Sequence, residues 1–424
     1  MFYSILQLIL RKSLALHYHR IEQLNADSLP QKGPLIIATN HPNTFLDAIV
    51  IAAYIHRPLH FLSKGEAHSK VWIDVLLKSF NLIPIYKISK KVDLYNKNQN
   101  AFKKCYEIFD KGGAILIFPE GRSIPEKKIQ SFKKSLAHIA LGYIDKQDSN
   151  TKLPLLPIGI NYSQVNTFNS DIQLSFGAPI LVNPWGNDYV KNQNQTFAEF
   201  NQVLSEKLRS HVIEIDQEDE QLFDYLCHTF IKGPNTFYKK FQLSLKLNEL
   251  KTEHAEPYHK LDNLFRKVKR TTSAYQLNYK GFGNKIDFKE ILLNLLLLPF
   301  SLLGLIFCTW PYVLAKMISK RAAKQYPEYT LALRFAITTF TAFLYVIFAT
   351  LFLSIYVNWW MLLIPFVFFI SLISFKKLAV FSNELLLQWR VKKLKVHKIE
   401  FKQLMKAIEG IDFLAKEFLF VTRT

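Results

Sequence analysis

The chain has 424 residues, which is longer than one average domain and enough to bury a large core. Its formal net charge is +20, and 49% of its residues are hydrophobic. A chain that is both apolar and basic is typical of proteins at membranes with anionic lipids. The Lys and Arg residues are scattered or flank apolar segments, and no nucleic-acid-binding motif is recognisable. We therefore expect membrane lipids as partners and no nucleic acid.

The cysteines and the N-terminal residues indicate in which cellular compartment the protein resides. Cys105, Cys227 and Cys308 are far apart and offer neither a disulfide framework nor metal-ligand spacing, which favours a reducing compartment. Residues 1–29 begin with an apolar run that precedes the first charges and lacks a small-residue cleavage site. They predict an N-terminal amphipathic or interfacial helix with a lead-in, not a signal peptide.

Residues 30–180 alternate short apolar runs with helix-period segments, and a further amphipathic segment, 196–213, closes a domain of residues 30–213. This rhythm predicts an α/β domain with a mainly parallel sheet and flanking helices. The predicted strands are 34–38, 82–86, 114–118, 155–161 and 172–176. The predicted helices are 44–56, 66–80, 93–111, 130–144 and 196–213.

The rest of the chain divides into three parts. Residues 214–288 are polar and predict a partly helical extension, to which no role is assigned. Residues 289–375 predict a membrane region, since 291–315 is a 25-residue uncharged run and 335–375 is a 41-residue one. The longer run is about twice what one helix needs to cross a ~30 Å hydrocarbon core, so it predicts a two-helix hairpin. Residues 376–424 predict a basic amphipathic tail that lies on the bilayer or packs on residues 30–213.

The basic residues predict the topology of this region. Both ends of 335–375 are basic, which places them on the cytoplasmic side by the positive-inside rule. Both ends of 291–315 are basic as well, so a single crossing would leave one basic flank outside. We therefore expect 291–315 to be re-entrant or interfacial rather than spanning, with breaks around Pro299, Gly304 and Pro311.

The stretch TNHPNTFLDAIV, residues 39–50, places a histidine and an aspartate around a strand-to-helix corner. One interpretation is structural, with Thr44 and Asp47 forming a capping box and His41 in the loop. The other is catalytic, with His41 as a general base at the carboxyl end of a strand and Asp47 orienting it. Six positions on a continuous helix are ~600° apart, so the pair can meet only through a turn at 42–43.

Three further stretches carry candidate functional residues. In AILIFPEGRS, 114–123, a buried strand leads into Glu120, Gly121 and Arg122, where Gly121 permits a tight turn and Arg122 offers a planar fork for phosphate. NLIPIYK, 81–87, is an apolar strand that ends in a lysine. In LPLLPIGINY, 153–162, Pro157 interrupts a strand and predicts an edge or a bulge that borders an opening. Each of these has an ordinary structural explanation when it is taken alone.

Together, in this order and at these spacings, the four stretches resemble the motifs of the glycerolipid acyltransferase family. Members of that family acylate glycerol-3-phosphate or lysophosphatidic acid. NHPNTFLD resembles its His–Asp block, IPIYK its second block, FPEGRS its third and LPIGINY its fourth. The resemblance covers roughly residues 15–180, under half of the chain.

The resemblance implies a mechanism. His41 would take the proton of an acceptor hydroxyl, which attacks the thioester of acyl-CoA or acyl-carrier protein, and Asp47 would orient His41. A thioester is already activated, so we expect no metal and no cofactor. The residues implied in substrate binding are Lys87, Gly121 and Arg122 at the acceptor phosphate, Glu120 at that turn or at the acceptor hydroxyls, and Pro157 beside the acyl channel.

The sequence departs from the common family pattern at three points. Five residues separate His41 from Asp47 where four are common. Arg122 directly follows Gly121, where a threonine usually intervenes, and Lys87 stands where an arginine is usual. Lysine keeps the charge but loses the bidentate fork. These variants leave the acceptor open.

Two alternatives remain open at this point. The chain could acylate another lysolipid or an amino-acid lipid, or it could be a catalytically silent membrane protein that binds lipid. For the enzyme, we expect an integral membrane protein whose catalytic domain lies on the cytoplasmic face. A composition rich in Lys, Asn, Ile and Phe favours a bacterial inner membrane.

Overall fold

The computed structural model describes residues 2–68, 70–86, 92–147, 151–233, 236–277, 287–324 and 327–420. Two compact units divide the chain, Met1–Ile213 and Glu214–Thr424. Each unit is built around its own packed elements.

Strands and helices alternate in the first unit. The strands are β1 (Arg20–Leu24), β2 (Leu35–Thr39), β3 (Leu59–Lys64), β4 (Leu82–Ile85), β5 (Ala114–Ile117), β6 (Pro154–Tyr162), β7 (Asp171–Phe176) and β8 (Ile180–Leu181). The helices are α1 (Phe2–His17), α2 (Thr44–Tyr54), α3 (Val71–Ser79), α4 (Val92–Asp110), α5 (Lys134–Ile144), α6 (Gly186–Lys191) and α7 (Gln193–Arg209). Every predicted strand is present, with its ends within one residue of the expected position.

The described strands form one sheet in the order β1-β7-β6-β2-β5-β3-β4, with β8 beside β6. The strands from β6 to β4 in this order are mutually parallel. β7 and β8 run antiparallel to β6, and β1 is parallel to β7. The prediction of a mainly parallel sheet with flanking helices is confirmed, with antiparallel strands on one side.

Residues 20–24 correct the interpretation of the N-terminus. They form β1 within the sheet, although 1–29 predicted only a helix and a lead-in. α1 packs on α2, because Gln7 donates to the carbonyls of Ala52 and Ile55 at 2.8 and 2.6 Å. These bonds use carbonyls at the end of α2 that have no partner within the helix. The N-terminal helix is therefore part of the first unit.

The core of the first unit lies on both faces of the sheet. Ile36 and Ala38 of β2 and Ile115 and Ile117 of β5 pack in one buried cluster with α4, α5 and α7. The residues that alternate with them along β2 point to the opposite face and are also fully buried. A parallel strand covered on both faces reads as a continuous apolar run, as β2 does.

Pro157 does not mark an edge strand. β6 is paired on one side with β2 and on the other with β7 and β8, and Pro157 is buried. The prediction of an edge is therefore wrong. Pro157 lies between the residues paired to β8, 154–155, and those paired to β7, 158–162. A proline is tolerated at such a change of partner, where the ladder of hydrogen bonds is interrupted.

The second unit begins with helices that were predicted only as a partly helical extension. They are α8 (Glu220–Phe230), α9 (Thr236–Glu253) and α10 (Ala255–Ala274). Lys251 of α9 lies 3.1 Å from Asp216, 2.5 Å from Glu218 and 2.7 Å from Asp219. These carboxylates are spaced closely enough to share a metal ion, but they already hold the lysine ammonium.

The predicted C-terminal tail, 376–424, is not one element, because residues 376–396 continue the preceding long helix (Ile364–Val396). The rest of it forms α15 (Lys398–Phe418), which lies against α10 and buries Leu404, Ala407, Ile411 and Ala415. The apolar face that suggested a helix on the bilayer is thus covered by α10.

Three helices of the described part are long and apolar enough to cross a membrane. The first is α12 (Leu298–Ala322). The second is Pro327–Tyr356, which contains α13 (Thr330–Tyr356), and the third is Trp359–Val396, which contains α14 (Ile364–Val396). The short helix α11 (Phe288–Leu296) precedes them. A turn around 357–363 separates α13 from α14, as the predicted hairpin requires. Many of their large apolar side chains are exposed, which suits a lipid environment.

The predicted breaks in 291–315 are only partly present. The chain is interrupted at Leu297, next to Pro299, but α12 is continuous through Gly304 and Pro311. Gly304 serves as a contact, because a Cβ there would overlap the carbonyl oxygen of Ser371 in α14. Small residues allow such close helix packing in membranes, and internal prolines are tolerated there. The breaks expected at Gly304 and Pro311 are therefore wrong.

Gly159 of β6 gives a test of the packing in the first unit. A Cβ at this position would overlap the backbone carbonyl of His211, which cannot move as a flexible side chain could. We expect Gly159→Ala to lower the free energy of unfolding by about 1–3 kcal/mol, measured by denaturant unfolding of the full chain in detergent. Gly186→Ala is the control, because its Cβ would meet only the end of the Ile144 side chain at 3.0 Å. Equal stability of the two variants would contradict the close approach.

Candidate active site

The first and third motifs meet at one edge of the sheet. β2 and β5 are parallel neighbours, with Ala38 paired to Ile117. The chain therefore leaves both strands at the same level, and His41 and Glu120 follow within a few residues. The carboxyl edge of parallel strands is where open α/β sheets place their ligands.

His41 and Asp47 are in direct contact. His41 Nδ1 lies 2.9 Å from Asp47 Oδ2, and the Asp47 side chain is fully buried while that of His41 is 16% exposed. The turn at 42–43 brings them together before α2 begins. Because a carboxylate accepts, Nδ1 carries the proton of this hydrogen bond, and in the neutral imidazole Nε2 is then the nitrogen that can accept a proton.

Asp47 accepts hydrogen bonds from three parts of the chain. In addition to His41, the backbone N–H of Asn43 donates to Oδ2 at 2.7 Å, and the Tyr162 hydroxyl donates to Oδ1 at 2.7 Å. A buried carboxylate needs such donors, because burying an unpaired charge is costly. Tyr162 is itself buried, and burial followed by the charge of Asp47 raises its pKa, so the hydroxyl stays protonated and donates.

The capping interpretation is correct only in part. α2 begins at Thr44, so Asn43 is the N-cap residue, and its side chain makes no capping bond. Asp47 does bind a backbone N–H at the start of the helix, as the acid of a capping box does. Its second contact to the imidazole is not needed for capping. The Asp47 side chain thus both binds a backbone N–H at the start of α2 and orients His41.

The loop of the third motif folds over the loop of the first. The Phe118 ring stacks on the His41 ring with centroids 3.7 Å apart. The backbone N–H of Thr44 donates to Ser123 Oγ at 2.8 Å, and that of Ile124 donates to the His41 carbonyl at 3.3 Å. These contacts fix the imidazole plane and its distance from residues 118–124.

Thr44 has a strained backbone at this junction. Its φ of +47° lies in the left-handed region, which β-branched residues rarely adopt. Such strain persists where surrounding contacts over-determine it, and it concentrates at functional sites. Here the hydrogen bond to Ser123 and the Asp47 contacts hold the turn.

Glu120 is buried beside the dyad. It is 2% exposed, and it accepts from the Gln130 backbone N–H at 3.4 Å and from the backbone N–H of His41. Burial is the main reason that its pKa is raised to about 8, and the charge of Asp47 adds to the effect. Near neutral pH the carboxyl is therefore mainly protonated.

Gly121 and Arg122 form the exposed end of this loop. Gly121 has a φ of +66°, which glycine adopts without strain, and its N–H donates to the Phe118 carbonyl at 3.1 Å. The Arg122 side chain is exposed and makes no hydrogen bond to the described residues. It can therefore turn to an anionic ligand.

The remaining predicted residues do not all join this site. Lys87 lies outside the described residues. Pro157 is buried in β6, paired with Ala38 of β2. The structure thus brings together His41, Asp47, Glu120, Gly121 and Arg122, and it places Pro157 in the sheet below them.

Two site residues escaped prediction. Tyr162 ends β6 at the carboxyl edge; it lies in the fourth stretch, LPLLPIGINY, where no role was assigned to it. Asn40 exchanges hydrogen bonds with the Ile160 backbone, donating at 2.9 Å and accepting at 2.8 Å. This pair ties the loop after β2 to β6, which places Tyr162 against Asp47.

Part of the chain is similar to known acyltransferases. Residues 20–161 match the family model described as Acyltransferase. Glycerol-3-phosphate O-acyltransferase 2 of Saccharomyces cerevisiae is 26% identical over 163 residues, which are 38% of this chain and 20% of that protein. Glycerol-3-phosphate O-acyltransferase 1 of the same yeast is 34% identical over 98 residues, 23% of this chain and 12% of that protein. The match therefore spans a fifth or less of each yeast relative.

A solved structure is also similar. It is the crystal structure of the 1-acyl-sn-glycerophosphate (LPA) acyltransferase, PlsC, from Thermotoga maritima. The identity is 18% and the TM-score 0.36, over 49% of this chain and 78% of that chain.

The matched range 20–161 contains the His41–Asp47 pair and the Glu120–Arg122 loop. The family model thus covers the part of the chain that builds this edge of the sheet. Residues 20–161, which lie in the first unit, therefore match an acyltransferase domain, and part of the chain is similar to glycerol-3-phosphate O-acyltransferases.

Proposed function

We propose that the chain is an O-acyltransferase of phospholipid synthesis. It moves a fatty acyl group from acyl-CoA or acyl-carrier protein to glycerol-3-phosphate or 1-acylglycerol-3-phosphate. The observation that carries this proposal is the contact of His41 Nδ1 with the buried Asp47 carboxylate, which leaves Nε2 as a base.

Proton transfer follows from this geometry. His41 Nε2 accepts the proton of the acceptor hydroxyl while its oxygen attacks the thioester carbonyl. Asp47 stabilises the imidazolium that forms, as the aspartate of a serine-protease triad does. When the tetrahedral intermediate collapses, the C–S bond breaks and the thiolate takes the proton from Nε2. The imidazole is then neutral again.

The acceptor phosphate binds at the exposed end of the loop after β5. Arg122 offers two parallel N–H donors that match phosphate oxygens, and Gly121 lets the backbone approach closely. Lys87 adds a second positive charge in this proposal. These groups recognise the part of the acceptor that does not react, so they orient its hydroxyl toward His41.

Glu120 contributes as a neutral acid. A protonated carboxyl can donate a hydrogen bond to an acceptor oxygen, whereas an ionised one would place a second negative charge near Asp47. It also holds the His41 backbone in place. Its function in this proposal is to position the loop and contact the acceptor.

The thioester is an activated acyl donor, so the proposed reaction uses no metal and no cofactor. The apolar helices of the second unit would keep the enzyme at the membrane into which its lipid product passes. Under the positive-inside rule, we place the catalytic domain on the cytoplasmic face. Membrane lipids and the acyl carrier are the proposed partners.

Acyl transfer by membranes that contain the chain tests the function directly. Labelled acyl-CoA and acyl-carrier protein are offered with glycerol-3-phosphate or lysophosphatidic acid. We expect product from one acceptor with the wild type and none with His41→Ala. Asp47→Asn should lower kcat by up to about 10⁴-fold, because the imidazole loses its orienting charge.

A structural role alone predicts a different result for Asp47. If it served only as a helix cap, Asp47→Asn would cost about 1 kcal/mol of stability and leave kcat nearly unchanged. Product that persists in His41→Ala would exclude His41 as the base.

Tyr162 should affect kcat more than KM. Tyr162→Phe removes the donor to Asp47 Oδ1, and a hydrogen bond to a charged group contributes about 1.5–3 kcal/mol. We expect kcat to fall by about 10-fold or more, measured in the same assay. Tyr143→Phe is the matched control, because that hydroxyl donates to Asp110 at 3.0 Å and does not contact the dyad. Equal kcat in the two variants would exclude a positioning role.

Arg122 should determine the apparent KM for a phosphorylated acceptor. Loss of its charge-assisted bonds in Arg122→Ala should raise that KM by about 10–100-fold, with little change in the KM for the acyl donor. Arg122→Lys should have a KM for the phosphorylated acceptor between those of the wild type and Arg122→Ala, because lysine keeps the positive charge but cannot form two parallel hydrogen bonds. An equal loss with an unphosphorylated acceptor would contradict phosphate binding.

Glu120 should make stability depend on pH. Its pKa is raised from 4.5 to about 8, so the folded chain retains a proton that the unfolded chain releases between these values. The stability that depends on this proton is complete below about pH 4.5 and is lost as pH rises through about 8. We expect Glu120→Gln to flatten this decline in the unfolding midpoint, whereas Glu206→Gln, at an exposed site, should not. If the unfolding midpoints of the wild type and Glu120→Gln fell equally with rising pH, the raised pKa of Glu120 would be disproved.

A further inference from the structure

Ser63, His68 and Asp74 form a hydrogen-bonded triad that the proposed function does not use. Ser63 Oγ lies 2.7 Å from His68 Nε2, and His68 Nδ1 lies 2.7 Å from Asp74 Oδ1. The order of atoms is that of a nucleophile, a general base and the acid that orients the base.

The hydrogen bonds favour one arrangement of the protons. Asp74 accepts from Nδ1, which leaves Nε2 to accept from the Ser63 hydroxyl. The other acceptor near that hydroxyl, the Ile83 carbonyl, is 3.4 Å away, which is long for an O–H···O bond. The serine proton therefore points to the imidazole.

The base and the acid are held in place. The His68 side chain is 2% exposed, so it has little freedom to leave this position. Lys78 Nζ binds the second oxygen of Asp74 at 2.6 Å. Its hydrogen bond, followed by that of His68, lowers the pKa of Asp74 and keeps it ionised. Ser63, in contrast, is only half-buried.

The triad lies at the same edge of the sheet as His41. Ser63 is the next-to-last residue of β3, and Phe61 pairs with Leu116 of β5. Continuing this register by two residues places Ser63 beside Phe118, whose ring stacks on His41. Among the described strands, β5 alone separates β3 from β2, which are therefore about 10 Å apart. An acyl thioester at His41 is thus within reach of this region.

We propose that Ser63 is a second nucleophile, activated by His68 and oriented by Asp74, that hydrolyses acyl thioesters. The Ser63 oxygen attacks the thioester carbonyl while its proton passes to His68 Nε2. The C–S bond breaks, the thiolate takes that proton, and an acyl ester remains on Ser63. Water then attacks the ester, its proton passes through His68 to the Ser63 oxygen, and the fatty acid is released.

This proposal rests on the proposed function in one respect, the choice of an acyl thioester as the substrate. A fluorophosphonate probe, which labels activated serines, tests it without any acyl donor. The full-length protein in detergent is labelled as wild type, Ser63→Ala, His68→Ala and Ser79→Ala, where Ser79 is an exposed serine at the end of α3. We expect labelling of the wild type and Ser79→Ala, none of Ser63→Ala, and about 100-fold slower labelling of His68→Ala.

Thiol release from palmitoyl-CoA without an acceptor gives the second readout. It should persist in His41→Ala and disappear in Ser63→Ala, which should still transfer acyl groups to an acceptor if the proposed function holds. Acyl transfer that fails in the wild type would reject the proposed function without affecting the labelling. Absence of labelling in the wild type, or equal labelling of Ser63→Ala, would overturn the proposal and leave the triad as a structural link between β3 and α3.

Discussion

The burial of the Asp47 carboxylate is the constraint on which the site depends. A buried acid requires hydrogen-bond donors, and this one receives them from His41, from the Asn43 backbone and from Tyr162. These donors come from the loop after β2 and from the end of β6, which are adjacent in the sheet. The strand order therefore brings these donors together. If β6 were not beside β2, Asp47 would lose the hydrogen bond from Tyr162.

The loop after β5 completes the site by covering this pair. Phe118 stacks on the imidazole and Ser123 binds the first turn of α2, so the loop is in direct contact with the dyad. The same closure buries Glu120 and explains why its pKa is raised. Arg122, two residues further, remains exposed. One loop thus holds both a buried carboxyl group beside the dyad and an exposed guanidinium group.

The elements that could be predicted are those whose pattern is local. β2 and β5 are continuous apolar runs, and burial on both faces produces that pattern directly. β1, with the sequence RIEQL, lies at the border of the sheet and shows no such run, so it was missed. Pro157 was expected at an edge or a bulge, because a local rule cannot detect that β6 changes partner from β8 to β7. Gly304 in α12 was taken as a break for the same reason, since its neighbour Ser371 is distant in sequence.

The sequence by itself determined the candidates for chemistry: His41 and Asp47 near a strand end, and Glu120 to Arg122 after another. It could do so because residue type and spacing record what a side chain can donate, accept or bind. Only the tertiary structure decided which candidates act together. It placed β2 between β5 and β6, brought Tyr162 to Asp47, and moved Pro157 into the sheet. The physical reason is that hydrogen bonds and burial act over a few ångströms, between residues that lie about 80 to 115 positions apart in the chain.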